Sequence, residues 1–343
     1  MDADEGTAPP RERGWLGPIV ALLALVTVTT LSAPRVVVPV GQILLLVAPA
    51  SAALAVAGWR AGGRLPLALL WTGFAVWVVV QPAGAPGLYA DLTRGWGVLL
   101  ALAFGVAAAA GWGEGFLSKG LFALAAAAGL GLLALALVPD GPPGAARLLS
   151  EEIGRRSTLA SREWQELSGS PQWIQLVRES PGWEAYGRTV EAQLSALPAI
   201  GLRFFPALLA LESLAALALG WAVYHRVGRA RLGPPLARLR DLRFHEALVW
   251  GVVAGLALVA LPLTGAARDA GLNLLVFFGV LYAMRGSGVL VWFLDPGRVM
   301  TVVLAVFTVL FWPVVVMVSA GVGLGDTWFD WRRAARGRSQ RSE

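Results

Sequence analysis

Cysteine is absent from the 343 residues, lysine occurs once (Lys119) and histidine twice (His225, His245). The first absence excludes disulfides, thiol catalysis and cysteine-ligated metals. Two histidines are too few for a histidine metal site. Charge is scarce as well: 15% of residues are charged, and the net +6 is almost entirely arginine. No nucleic-acid partner follows from that balance, because basic loops in a membrane protein first report orientation. Signatures of catalysis are also missing. There is no phosphate-cradling Gly-x-x-x-x-Gly-Lys, no His-Glu-x-x-His and no close pair of acids within an apolar run. The sequence therefore predicts no enzyme and no cofactor.

What is present is apolar. Hydrophobic residues make up 57% of the chain and the mean hydropathy is +0.65. A soluble domain has no room to bury that much apolar surface. A crossing needs ~20 apolar residues, and the sequence divides into about nine membrane segments. Residues 1–138 hold the first five, near 15–33, 36–58, 66–82, 95–113 and 116–138. Residues 139–197 are polar and read as extracytoplasmic amphipathic helices. The sixth segment is 198–226, followed by a basic cytoplasmic loop at 227–245. Residues 246–325 hold the last three, near 246–266, 272–295 and 299–324, and 326–343 form a basic tail. The predicted fold class is all-α: a polytopic transmembrane helical bundle with an extracytoplasmic amphipathic helical insertion. The first apolar run reads as a retained span rather than a cleaved signal.

Arginine placement orients the bundle. Arg11 and Arg13 precede the first segment, Arg60 and Arg64 follow the second, and Arg229, Arg231, Arg238, Arg240 and Arg243 follow the sixth. Six crossings between 15 and 226 place all three groups in the cytoplasm and 139–197 outside. Three further crossings would put the basic tail outside. The conflict disappears if "RGSG" at 285–288 breaks the 272–295 segment into a re-entrant hairpin, leaving eight crossings. A continuous span is the preferred reading, since one such tetrapeptide is a weak break signal.

The insertion carries two apolar stripes at helical spacing: Leu149, Ile153, Ala160, Trp164 and Leu167, then Trp183, Tyr186, Val190, Leu194 and Leu197. Glu151–Arg155 and Glu152–Arg156 stand at i,i+4. Ser170-Pro171 and Ser180-Pro181 read as helix starts. The stripes suit either a cap that packs on the bundle or a lid over a site, with packing the default for such faces. Ala101, Gly105 and Ala109, and likewise Ala125 and Gly129, form small-residue rows that allow close helix approach.

The candidate site residues are polar groups inside apolar runs. Glu212 and Arg285 are charges deep in the sixth and eighth segments, where ionisable groups face protein or water. They suit a substrate- or ion-facing pair, a purely structural pair, or, for Arg285, snorkelling to an interface. Gln42, Asn273 and Tyr282 are neutral polar groups that either line a pocket or bond between helices. Arg229, Arg231, Arg238, Arg240 and Arg243 are candidates for contact with anionic lipid or a cytoplasmic partner. Asp326 and Asp330 stand i,i+4 near Arg332 and Arg333, where they suit local pairing or capping.

Three stretches carry a resemblance. "RVGRARLGPPLARLRDLRFHEALVWG", "LNLLVFFGVLYAMRGSGVLVWFL" and "GVGLGDTWFDWRR" resemble the basic loop, the following helix and the ending of the YybS-like family of bacterial polytopic membrane proteins. Arg285 stands where that family usually has glutamine. More distantly, the layout of the first six segments is similar to the substrate-binding subunits of energy-coupling-factor transporters. That likeness implies a small-molecule ligand, a membrane scaffold and paired ATPases as partners, and a bacterial inner-membrane location. Those subunits dock through an Ala-x-x-x-Ala row in their first span. Here the first segment has no such row, while Ala53 and Ala57, in the second, have that spacing. The rival reading is a non-transport scaffold or regulatory protein acting through its cytoplasmic loop and outer helices.

Overall fold

The computed structural model describes residues 14–30, 36–38, 42–81, 87–113, 115–333 and 335. Arg11, Arg13 and most of the basic tail lie outside the described residues. All regular elements among the described residues are helices. The chain divides into two compact units, 1–236 and 237–343, so the division falls inside the basic loop.

The first unit contains α1 (Leu16–Thr30), α2 (Leu44–Arg60), α3 (Leu65–Val80), α4 (Leu88–Ala109), α5 (Phe116–Ala136), α6 (Gly141–Ser168), α7 (Pro171–Glu179) and α8 (Pro181–Val227). Helix α2 is its hub and packs against α3, α4 and α8. Leu46, Ala48, Ala50 and Leu54 on α2 are completely covered. The approach of α4 depends on missing side chains. A Cβ on Gly97 would strike the Leu45 carbonyl, and one on Gly105 would come within 2.9 Å of the Ala53 Cβ. Ala101 and Gly105 of the small-residue row thus serve close packing, while Ala109 is exposed. The second row does not: Ala125 and Gly129 are exposed, and α5 buries Gly120, Ala123 and Ala127 instead.

Helices α6, α7 and the first part of α8 build the insertion. Ser170 caps α7, its hydroxyl accepting from the Trp173 amide at 3.3 Å, with Pro171 in the first turn. Pro181 opens α8 directly afterwards. The two apolar stripes meet each other: Ile153 and Ala160 of α6 bury against Leu194 of α8 and Val36, flanked by Leu149, Trp164, Val190 and Leu197. Trp164, Trp173 and Trp183 lie edge to face in sequence, and Tyr186 packs on Trp183, which joins the three helices at their far end. Helix α8 runs unbroken across 197/198 as one helix of 47 residues. At 1.5 Å per residue it is about 70 Å long, more than twice a ~30 Å hydrocarbon core.

The second unit contains two short 3-10 turns, Leu239–Asp241 and Glu246–Leu248, then α9 (Val249–Ala260), α10 (Gly265–Leu294), α11 (Arg298–Leu310) and α12 (Trp312–Phe329). Helix α10 is continuous through "RGSG", so no re-entrant hairpin forms there. Two other segments differ from expectation. The 246–266 run forms α9 only over Val249–Ala260, with Gly265 and Ala266 already in α10, and the 299–324 run breaks at Phe311 into α11 and α12.

Residues 239–255 run antiparallel alongside α10. The Leu239 carbonyl abuts Gly288, the Phe244 ring packs on Tyr282 at 5.1 Å, Gly251 lies under Phe278, and Gly255 meets Gly271 and Leu275. From Gly288 to Gly271 that track covers about 26 Å at 1.5 Å per residue. Its first half is extended and 3-10 chain, and its second half is α-helix. Among the described residues five helices are long and apolar enough to cross a membrane: α4, α5, α8, α10 and α12. Helices α1, α2, α3 and α11, and Glu246–Ala260 around α9, are apolar but shorter.

Candidate functional site

Two polar assemblies stand inside these apolar helices, one in each unit. In the first unit the polar groups come from α2, α4, α6 and α8. Glu152 on α6 accepts from Arg155 at 2.7 Å and from Arg156 at 2.8 Å. Arg156 also donates to the Val38 carbonyl at 2.8 Å and to the Tyr89 hydroxyl at 3.2 Å, with its guanidinium over the Tyr89 ring. Tyr89 stands at the start of α4, and Glu212 lies buried on α8. Beside Glu212, Ser213 accepts from the Trp96 indole at 2.9 Å. Two turns further along α8, Gly220 leaves room for Ser51 of α2. Glu212, Ser213 and Ser51 are buried at 7%, 0% and 2% exposure, which puts this polarity in the core of the unit.

Charge in the insertion is held by geometry. Burial would raise the Glu152 carboxyl, but hydrogen bonds from Arg155 and Arg156 outweigh it and hold the carboxyl below its ordinary value. The same hydrogen bond raises Arg155 against a smaller opposing effect of burial.

At the other end of α8 a clamp gathers the loop that follows. Trp221 donates to the Pro234 carbonyl at 3.1 Å and Tyr224 to the Ala230 carbonyl at 2.7 Å. His225 places its ring nitrogens 3.0 Å from the Trp221 and Gly233 carbonyls. Lys119 lies beneath, 2% exposed, donating to the Gly113 carbonyl at 2.6 Å and facing the Trp221 ring. Both histidine-flanked ends of the loop are therefore hydrogen-bonding positions, since His245 caps the second 3-10 turn through Ala247. Among the described residues no group of histidine and acidic side chains is arranged to hold a metal ion.

In the second unit the assembly is the crossing of α10 and α12. Gly286 faces Ser319 and Gly323, and Gly323 faces Tyr282, all too closely for a Cβ at either glycine. That contact brings Arg285 onto Asp326. Arg285 Nε donates to Asp326 Oδ2 at 3.0 Å and Nη2 to the Asp326 carbonyl at 3.1 Å. Arg332 donates to the same Oδ2 at 2.9 Å, and also to the Arg240 and Leu242 carbonyls at 2.9 and 3.2 Å. Phe244 covers Arg285 at 5.2 Å. Arg243 and Asp330 form a separate two-pronged pair at 2.9 and 3.2 Å on the exposed side.

The sequence-predicted residues fare differently. Arg285 and Tyr282 share this second assembly, with Tyr282 fully buried and in contact with Thr327. Glu212 does not supply the carboxylate on Arg285; Asp326 does, and Glu212 belongs to the other unit. The physical reason is the Gly286–Gly323 approach, which delivers Asp326 to the guanidinium. Snorkelling is ruled out by the 6% exposure of Arg285. Asn273 is half-buried, bonded to the Asp269 carbonyl at 2.8 Å, and lies about 18 Å up α10 from Arg285. Gln42 is exposed ahead of α2. Arg229, Arg231 and Arg238 are exposed, Arg240 faces Asp241 at 3.7 Å, and Arg243 is engaged by Asp330. Asp326 does pair locally with Arg332, and both are 1% exposed. Sequence reasoning missed Ser51, Tyr89, Trp96 and Ser213, whose common signal is a polar or indole group within an apolar helix.

The exposed apolar surface of this chain suits a lipid environment. Residues 172–327 match the family model described as Predicted membrane protein (DUF2232). The matched stretch runs from α7 to α12 and contains Glu212, Tyr282, Arg285 and Asp326, while Arg332 lies just past it. No curated protein and no solved structure matches the chain.

Proposed function

We propose that this is a multi-pass inner-membrane protein of transporter-subunit type, whose first unit binds a small polar solute. The supporting observation is the set of buried or half-buried polar groups in the first unit: the Glu152–Arg156–Tyr89 contacts, the Trp96–Ser213 hydrogen bond, and the buried Glu212 and Ser51. Polar groups inside apolar helices are costly and mark sites by default. This set offers a guanidinium, carboxylates, hydroxyls and an indole, which suits a solute carrying both an acidic and a basic or hydroxyl group. Arginine placement puts the N-terminus in the cytoplasm and the insertion outside, so α6 roofs the polar groups on the outer side. In this reading the bilayer is the obligatory partner, and no nucleic acid, cofactor or catalysis is involved.

A shared membrane scaffold with ATPases is the partner the layout implies. A groove between α2, α3 and α4, of about 820 Å³, supplies a place for a partner helix. It is lined by Ala53, Ala57, Ala101 and Gly105 among others, and Arg60 stands at its end. The same groove favours the second reading, a non-transport scaffold or regulatory protein, because its lining is predominantly apolar and does not suit a polar solute. Extraction of the full chain in mild detergent and mass spectrometry of its bound small molecules separates the two. A co-purifying polar solute that is lost in Glu212→Gln, with folding retained, is expected. A solute-free wild type that captures other membrane proteins through α2–α4 would overturn the solute reading.

A further inference from the structure

We propose that the Arg285–Asp326–Arg332 cluster is completed by a small monovalent anion of the size and charge of chloride. Two guanidiniums share a single carboxylate oxygen, Asp326 Oδ2. Arginine does not deprotonate in proteins, so the group carries one positive charge in excess. Its remaining acceptors, the carbonyls of Asp326, Arg240 and Leu242, are neutral. Exposures of 6%, 1% and 1% for Arg285, Asp326 and Arg332 remove bulk water as the counter-charge. The adjacent Arg243–Asp330 pair neutralises itself and lends nothing.

The hydrogen-bond inventory points the same way. Arg285 Nη1 and Arg332 Nε are buried donors without a hydrogen-bond partner. A buried donor left unmade is costly, more so on a charged group. One anion between the two guanidiniums takes both donors and cancels the excess charge. Asp326 Oδ1, the third unpartnered atom, is an acceptor and falls to a water molecule. Phe244 stacks on one face of Arg285, and the α10–α12 glycine contact closes the crossing beside it. The confinement selects a small ion over a bulky phosphate ester.

The test uses the purified full chain in detergent, melted at constant ionic strength while gluconate is exchanged for chloride, and then for bromide. The wild type should show a saturable rise in Tm with either halide. Arg285→Gln leaves a neutral Asp326–Arg332 pair. It should lose the saturable rise and melt in gluconate at or above the wild type, an outcome that a purely structural arginine does not give. If that variant fails to fold, Arg332→Gln removes the same charge, and its half-saturating halide concentration should rise roughly tenfold or more. Equal wild-type melts in gluconate and chloride would overturn the proposal, as would a halide response kept unchanged in the variants. A rise produced by added anionic lipid and not by halide would replace the free ion with a lipid phosphate and also overturn it.

Discussion

Gly286 of α10 and Gly323 of α12 face each other across a crossing that admits no Cβ on either side. From that contact follow the positions of Arg285 and Asp326, and through Arg332 the path of the chain at 240–242. Gly286→Ala and Gly323→Ala should each lower stability by roughly 1–3 kcal/mol, the usual cost of overpacking. The added methyl meets backbone, which yields less than a side chain does. Gly279→Ala, on the same helix with open space around it, is the control and should melt at or slightly above wild type. Detergent melts of the three variants check this.

Asp326→Asn should be the most damaging change in the second unit. It leaves two buried guanidiniums without their shared carboxylate, and breaking a buried pair costs about 3–5 kcal/mol. Arg285→Gln should cost nothing in the absence of halide, because Arg332 keeps its bond to Asp326. A double-mutant cycle on Arg285 and Asp326 should show strong coupling, whereas Glu212→Gln should be additive with Arg285→Gln. Additivity of Asp326→Asn with Arg285→Gln would contradict the geometry.

The insertion's two apolar stripes pack against each other. Ile153→Ala or Leu194→Ala should therefore destabilise by about 2–5 kcal/mol. Thermal melts together with expression level read this out. A lid predicts the opposite pattern, with solute release altered and stability intact.

The acid limb of stability should carry a contribution from Glu152. Its folded-state carboxyl is held below the ordinary value, so the stabilisation is complete above an unfolded pKa of about 4.3. It is lost as pH falls through the lower folded value. Glu152→Gln should lower Tm at neutral pH by the equivalent of about 1 kcal/mol and converge on wild type below that window. The pH series of the two proteins tests the sign directly.

Within the second unit, Arg332 rests on the Arg240 and Leu242 carbonyls, so the end of the described chain returns to the loop preceding α9. Cysteines placed at Arg243 and Ala335 should accordingly label from the same side of the membrane. The chain has no native cysteine to interfere. Opposite-side labelling would be incompatible with these hydrogen bonds.

The helical class and the insertion were legible because their signals are local. Leu149, Ile153, Ala160 and Trp164 repeat at the helical period, and Ser-Pro pairs mark two starts. The Arg285 partner was not legible, since it lies 41 residues away and depends on a helix crossing. Asp326 and Arg332, six apart, do not share a helix face. They meet because Asp330 takes a left-handed conformation, φ 34°, that turns the chain back on itself. "RGSG" resembled a break because glycine weakens helices. Here the glycines are what a close crossing requires, and the helix carries on through them. The short α9 was hidden by hydropathy, which reports apolar character over 246–266 without saying which part is helical.

Lys119 is the chain's sole lysine and is 2% exposed beneath Trp221. Amine-directed crosslinkers, biotin esters and surface-coupling chemistries therefore have no accessible side-chain amine on the native protein. A protease that cuts only after lysine has one target in the sequence, and folding conceals it. Cleavage between 119 and 120 becomes a direct report that α5 has come away from α8, readable on a gel as two fragments of about one third and two thirds of the chain.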